Sequence, residues 1–272
     1  RGDKLTQATL IITRGAKINA AGTAANPIIF TSNEAIGNRN EGDWGGLVIL
    51  GLAKNNQPGG VVNIEGIPPT TDTQHGGNFD NDNSGVLQYV RVEFAGIPLE
   101  PNKEINGITF GSVGSGTTVD YCQVSFCGDD SYEWFGGTVN CKHLIAYKTQ
   151  DDDFDSDNGF SGKVQFGIVL RDSTIADISR SEAFESDNDA SGSINSPQTK
   201  AVFSNLTLIG PRATLANNGN SLYLSAAHIR RNTGVSIYNS VILGWPAGLL
   251  IDGRNGRAVQ LNVMDSTIRF KN

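Results

Sequence analysis

Apolar residues along this chain fall in short alternating runs. LIIT at 10–13, IIFTS at 28–32, GLVILG at 46–51 and VVNIEG at 61–66 open the series. VLQYVRVEFAG at 86–96, NGITFG at 106–111, TTVDYCQVSFCG at 117–128, TVNCKHLIAYK at 138–148 and KVQFGIVLRDS at 163–173 continue it. AVFSNLTLIG at 201–210, VSIYNSVILGW at 235–245 and VQLNVMDSTIRF at 259–270 close it. Gly, Asn, Asp and Ser bound each run, the pattern of β-strands separated by turns. No segment keeps apolar positions at i, i+3, i+4 and i+7 for three turns, so long helices are not expected.

Many runs share one grammar: an apolar residue, a small or polar pair, then apolar alternation, as in VDYCQVSF, IYNSVILG and VMDSTIRF. A unit repeated in sequence implies a unit repeated in space, here one turn of a single-stranded, right-handed parallel β-helix. Successive turns would lie about 4.8 Å apart, with small side chains inside and Gly or Asn at the corners. Ten or so turns give a rod roughly 50 Å long. Sandwiches and propellers need tight two-residue hairpins, which are scarce here. One domain over residues 1–272 is expected, with longer polar insertions at 33–43, 68–84, 97–105 and 187–200 placed on one side, where binding surfaces are built. Trp44 in Asp43-Trp44-Gly45-Gly46 is expected to pack under a Gly-rich corner.

Three stretches repeat one another: GDDSYEWFGG at 128–137, QDDDFDSDNGFSG at 150–162 and SEAFESDNDASG at 181–192. Each sets an aromatic residue before an acid, Tyr132-Glu133, Phe154-Asp155 and Phe184-Glu185, at offsets of 22 and 30 residues between the acids. Stacked turns would bring Glu133, Asp155 and Glu185 into one column, joined by Asp129, Asp130, Asp151, Asp152, Asp153, Asp157, Asp187 and Asp189. Like charges about 5 Å apart at a protein surface repel by a few kcal/mol per pair, so a counter-charge is needed. Hard oxygen donors beside Asn158 and Asn188 suit Ca²⁺, which takes six to eight such ligands in irregular geometry. Solvated turns paired with Lys148, Arg171 and Arg180 are the plainer alternative, since Asp and Asn are good turn formers. Tyr132, Trp134, Phe154, Phe160 and Phe184 could offer sugar-stacking faces or pack beneath the corners. The Asn-rich loop 75–85 reads as a plain turn or a further ion site, and Arg230 and Arg231 in AAHIRRN as partners of the chain's own acids or receivers of a carboxylate or sulfate.

A formal charge of −7 and a pI near 5.0 leave no basic stripe to neutralise phosphates, which excludes nucleic acid as a partner. No apolar run approaches the roughly 20 residues of a membrane span, and residues 1–9 lack the features of a signal peptide. Cys122, Cys127 and Cys141 are odd in number, with no CxxC and no His at zinc spacing, so buried thiols are expected rather than a zinc site.

The phrases ATLIITRGAKINAAGTAANPIIFTSN, GDWGGLVILG, NSGVLQYVRVEFAG, the stretch 104–147, DDDFDSDNGFSGKVQFGIVLRD and AAHIRRNTGVSIYNSVILGWPAGLLID together resemble a family of secreted or surface-anchored right-handed β-helix proteins of Bacteroidetes, pectin-lyase-like in architecture. Members are left uncharacterised or carry unreliable transporter labels, and often bear a type IX secretion signal. The resemblance implies the β-helix fold and an extracellular or outer-surface setting, but no activity; it also implies a chain cut short at both ends. Three functions follow as expectations: a non-catalytic module binding calcium and a glycan or other surface component, a polysaccharide lyase or glycoside hydrolase, or a structural adhesin or matrix rod. A lyase would use Ca²⁺ and a base such as Lys148, Arg171 or Arg180. Against hydrolysis, the NxD, DD and GHG set of polygalacturonase-like enzymes is incomplete: His143 sits inside a strand run, and His75 has Gly on its C-terminal side only.

Overall fold

In both principal sheets strand pairs with strand in parallel. The computed structural model describes residues 2–272 except 101, 102, 213, 215, 217 and 218, with backbone alone at 99, 100, 103 and 104; the insertion at 97–105 thus lies partly outside the described residues. A first sheet is built from Thr9–Ile12, Gly46–Leu50, Ile108–Gly111, Tyr132–Phe135, Phe154–Asp157, Phe184–Ser186, Ala227–Ile229 and Leu250–Ile251. A second alternates with it in the chain: Ile18–Ala21, Gly85–Glu93, Thr118–Ser125, Asn140–Tyr147, Lys163–Leu170, Val202–Ile209, Ser236–Tyr238 and Arg269–Lys271. Chain order alternates between the sheets while each sheet pairs only with itself, and that is the connectivity of a parallel β-helix. The antiparallel pairs among the described residues, Val62–Asn63 with Gln74–His75 and Pro98–Glu100 with Lys103–Glu104, belong to excursions from the coil. VVNIEG is therefore not a rung.

The interior differs from the expectation of small side chains. Its largest fully buried residues include Trp134, Tyr132, Phe110, Phe154, Phe160, Phe184 and Phe203. Trp134 stacks on Phe160 at 5.2 Å and Tyr132 on Phe154 at 5.7 Å. The two sheets leave a channel wide enough for rings, and burying each aromatic removes about 150–250 Å² from water.

The corners also differ. The long strands of the second sheet bend at one aligned residue in a left-handed conformation: Tyr89 (φ 49), Tyr121 (φ 54), His143 (φ 50), Phe166 (φ 63) and Asn205 (φ 57). Four of these are not the Gly or Asn that tolerates positive φ most readily. Their rings form an outer ladder, 4.6 Å from Tyr89 to Tyr121, 4.2 Å on to His143 and 5.1 Å on to Phe166, stacked with their planes nearly parallel. Stacking offsets part of the backbone cost.

VQLNVMDSTIRF, expected as a strand, instead forms the helix Val259–Met264 before the strand Arg269–Lys271. Val259 and Asn262, three apart on one helix face, are the buried pair; they close that end of the barrel. Asn262 Nδ2 donates to Asn232 Oδ1 at 3.0 Å and to the Thr233 carbonyl at 2.8 Å. Asn262→Ala leaves the Thr233 carbonyl without its donor and Asn232 Oδ1 with only the longer bond from Gln198 Nε2 at 3.5 Å, an expected loss of about 1–3 kcal/mol in urea unfolding; a change under about 0.5 kcal/mol would mean the helix does not seal the end.

The outward face of the first sheet divides in two. Val48, Leu50 and Phe135 are covered by Ile64 and Ile105 from the excursions, making a small second apolar core. Beyond them the same face turns acidic.

Candidate functional site

Alternation along the strand builds the acidic face. In Tyr132–Phe135, Phe154–Asp157 and Phe184–Ser186 the aromatic points into the barrel, so the acid after it must point out. Parallel pairing aligns Thr109, Glu133, Asp155, Glu185 and His228 as partners across successive turns. Ser156 and Ser186 of the shared Ser-Asp-Asn face inward, linked Oγ to Oγ at 2.9 Å and onward to Thr233 at 2.7 Å.

The turn before each strand adds its own acids. Asp130 Oδ1 accepts the Asp152 amide at 2.8 Å, and Asp152 Oδ1 accepts the Glu182 amide at 2.6 Å. One turn's carboxylate thus caps the backbone of the next.

Column, turns and excursions enclose a recess of about 340 Å³. Glu133, Asp155, Glu185, Asp157 and Asp187 come from the strands and their ends; Asp129, Asp130, Asp151 and Asp152 come from the turns; Glu65 and Asn106 close one side. Ten carboxylates counted in this way face three arginines, Arg180, Arg230 and Arg231. Arg230 Nε reaches Asp187 Oδ1 at 2.9 Å and its Nη2 meets Glu185 Oε1, while Arg231 Nη1 reaches Asp187 Oδ2 at 2.7 Å. Among the described residues no ion pair is recorded for Arg180.

Burial and mutual repulsion push these acids toward the neutral form. Asp151 is raised to about 7, by burial and by Asp177. Asp157 and Glu185 are each raised to about 8, by burial and by Asp187, with Arg230 opposing the shift at Glu185. Asp130, Glu133, Asp152 and Asp155 are raised further, burial again leading and neighbouring carboxylates adding to it. One oxygen each from Asp130, Glu133 and Asp155 lie within 4.8 Å of one another, and so do oxygens of Asp129, Asp130 and Asp151. Asp130 belongs to both groups. Asp155 Oδ1 is buried with no hydrogen-bond partner, an orphan that a hard cation would satisfy. The donor set fits Ca²⁺.

The family description "Pectate-lyase like beta helix domain" matches residues 2–272. The chain belongs to this family of pectate-lyase-like β-helix domains. No curated protein and no solved structure matches it significantly.

Within this β-helix domain several residues expected at the site lie elsewhere. Tyr132, Trp134 and Phe154 are wholly buried and present no ring to a ligand, because the alternation that exposes the acids sends the aromatics inward. Asp153 is buried and pairs with buried Arg171 at 2.8 Å, so neither borders the recess. Lys148 is partly exposed and holds Asp172 at 2.9 Å. Asp189 accepts from Ser191 and Ser193 within its own turn and borders a neighbouring hollow. Asn188 is wholly buried, where it accepts the Thr199 amide at 2.8 Å. Trp44 packs under its corner, donating to the Glu93 carbonyl at 2.8 Å, and the three cysteines are buried and free. Among the described residues no helix is long and apolar enough to cross a membrane.

Sequence reasoning missed Glu65, Glu182 and His228. Glu65 arrives on an excursion with no repeat to mark it. His228 could have been found: it occupies the register position of Glu185 one turn later, but its strand lacks the aromatic-acid signature.

Proposed function

We propose that this domain is a non-catalytic binding module that holds calcium in the acidic recess and, through the ion, a glycan or other oxygen-rich surface component. The observation that carries the reading is the convergence of Asp130, Glu133 and Asp155 oxygens together with an Asp155 oxygen that has no partner. Calcium takes six to eight oxygens, so three protein carboxylates leave positions for sugar hydroxyls or an acidic sugar's carboxylate. Bound calcium offsets part of the negative charge of the recess and gives an acidic sugar a cation to coordinate. The resemblance to secreted Bacteroidetes β-helix proteins supports an extracellular or outer-surface setting, where calcium sites of modest affinity fill.

Calorimetric titration of chelator-treated protein with Ca²⁺ tests this. Asp155→Asn should weaken calcium binding at least about tenfold, by analogy with the loss of a fixed ligand, and a glycan array should give signal with calcium and none with EDTA. Calcium binding that is absent, or equal in Asp155→Asn, overturns the calcium reading; glycan signal indifferent to EDTA overturns the bridging role.

A polysaccharide lyase is the second reading, favoured by the family description and by Arg180 at the recess mouth. Arg230 suits the role poorly, since Glu185 and Asp187 hold its proton in place. Incubation with uronate glycans and calcium, followed by the absorbance of a new double bond, decides it: product supports the lyase, and no product across the panel supports the binder.

A further inference from the structure

We propose a second metal site, made by Glu182, Glu185 and His228, that takes a divalent first-row transition ion of the zinc class in place of calcium. Glu182, Glu185 and His228 each offer one donor atom, all within 4.8 Å of one another. His228 Nδ1 stands 3.5 Å from Glu182 Oε1 and 3.8 Å from Glu185 Oε2. Those gaps are long for hydrogen bonds. They are close to the roughly 3.3–3.6 Å that separates ligands around a tetrahedral zinc with bonds of about 2.0–2.2 Å.

The independent sign of a ligand is Glu182. Its side chain is 2% exposed, and Oε1 is buried with no hydrogen-bond partner, facing the imidazole. An unsatisfied carboxylate oxygen in that position is costly unless something positive completes it. Glu182 is also held in place: its amide donates to Asp152 Oδ1 at 2.6 Å, and its carbonyl accepts from Arg171 Nη2.

The outer shell agrees. His228 Nε2 meets Asp252 Oδ2 at 3.2 Å, and Arg254 Nη2 anchors the same carboxylate at 2.5 Å. A ligating histidine whose far nitrogen is held by a carboxylate is the usual arrangement at zinc, fixing which nitrogen faces the metal. The imidazole also separates this site from the recess next door. Calcium takes oxygen ligands, whereas imidazole suits zinc, cobalt, nickel and copper. Three protein ligands leave a fourth position for water.

Co²⁺ and Zn²⁺ titrations of the chelator-treated full chain, with and without excess Ca²⁺, test the proposal. One equivalent is expected to bind with calcium present, and zinc absorption spectroscopy should show a nitrogen scatterer at about 2.0–2.1 Å. NMR should show zinc moving the ring signals of one histidine of the three, and His228→Asn should remove that one. Asp252→Asn should weaken binding about 10–100-fold, and His228→Asn by more. Glu133→Gln, which leaves these donors intact, should weaken calcium binding while zinc binding persists. The proposal falls if the zinc environment contains oxygen alone, if calcium displaces the ion, or if His228→Asn binds as tightly as the parent. Should His228→Asn fail to fold, the absorption spectrum and NMR of the parent decide. Loss of this site with calcium binding intact leaves the calcium reading standing, and the reverse result leaves this one.

Discussion

The chelator-treated protein should lose stability as pH rises from about 6.5 to about 9, and calcium should restore it. The sign follows from the proton inventory. Asp151, Asp157 and Glu185, raised in the folded protein to about 7, about 8 and about 8, keep protons that the unfolded chain gives up near its ordinary carboxylate values. Over that window the folded state binds more protons than the unfolded one, so unfolding becomes easier with each step up in pH until the folded values are passed. Raised His228 acts in the same direction. Groups of opposite sign act elsewhere: Asp172, held down to about 2 by Lys148, and buried His75, held down to about 4, weigh below pH 6.5. A net two proton-units across the recess is about 2.7 kcal/mol, a fall of roughly 5–10 °C in melting temperature for a domain of this size. Calcium binds the ionised carboxylates, so its stabilisation should grow with pH and reach about 2.7 kcal/mol at a hundredfold excess over its dissociation constant. Melting curves in EDTA and in calcium at four pH values measure both. A flat or rising trend in EDTA, with calcium inert, would mean that the recess acids are solvated and ordinary.

The coil itself was legible because its signal is redundant. Each rung repeats the same alternation, and the aromatic-acid pairs of Tyr132, Phe154 and Phe184 carry enough likeness to place Glu133, Asp155 and Glu185 one above another. Which neighbour of a pair points outward was legible too, in principle. A strand that exposes Asp155 must bury Phe154, so the expectation that those aromatics stack on sugars conflicts with the column of acids that motivated it. Contributions made once, without repetition, were not legible. Glu65 enters on an excursion, Ile64 and Ile105 cover Val48 and Leu50 from outside the coil, and the helix Val259–Met264 seals an end where a strand was expected. The ladder of Tyr89, Tyr121, His143 and Phe166 was hidden for another reason. Positive φ at a ring-bearing residue contradicts local preference, and only the stacked neighbours above and below make it tolerable.

Arg171→Met should be the most damaging single substitution at the acidic end, and it should act through stability rather than ligand affinity. The sequence offered Arg171 as a surface cation beside the recess. It is instead buried, with its side chain and that of Asp153 fully withdrawn from solvent. Nε donates to Asp153 Oδ2 at 2.8 Å and Nη1 to the Thr149 carbonyl at 2.8 Å, while Nη2 serves the carbonyls of Asp151 and Glu182. Asp153 Oδ1 is in turn held by Thr149 Oγ1 at 2.9 Å. The guanidinium lies 5.6 Å from the Tyr223 ring centre and 5.9 Å from that of Trp245. One side chain therefore ties together the turns that deliver Asp151, Asp152 and Glu182. Removing it strands a buried carboxylate and the carbonyls of Thr149 and Asp151, while the Glu182 carbonyl keeps the Asp153 amide at 3.3 Å, a loss of about 3–5 kcal/mol and roughly 6–20 °C in melting temperature. Asp153→Leu in the same chain removes the stranded charge but not the orphaned carbonyls, so the double variant should recover part of the loss and not all of it. If Arg171 served a ligand instead, the single variant would unfold within about 0.5 kcal/mol of the parent while calcium or glycan binding collapsed. Urea unfolding of the parent, both single variants and the double, with binding measured below the transition, separates the two, because a positioning arginine moves every acid that depends on its turns and a ligand arginine moves none of them.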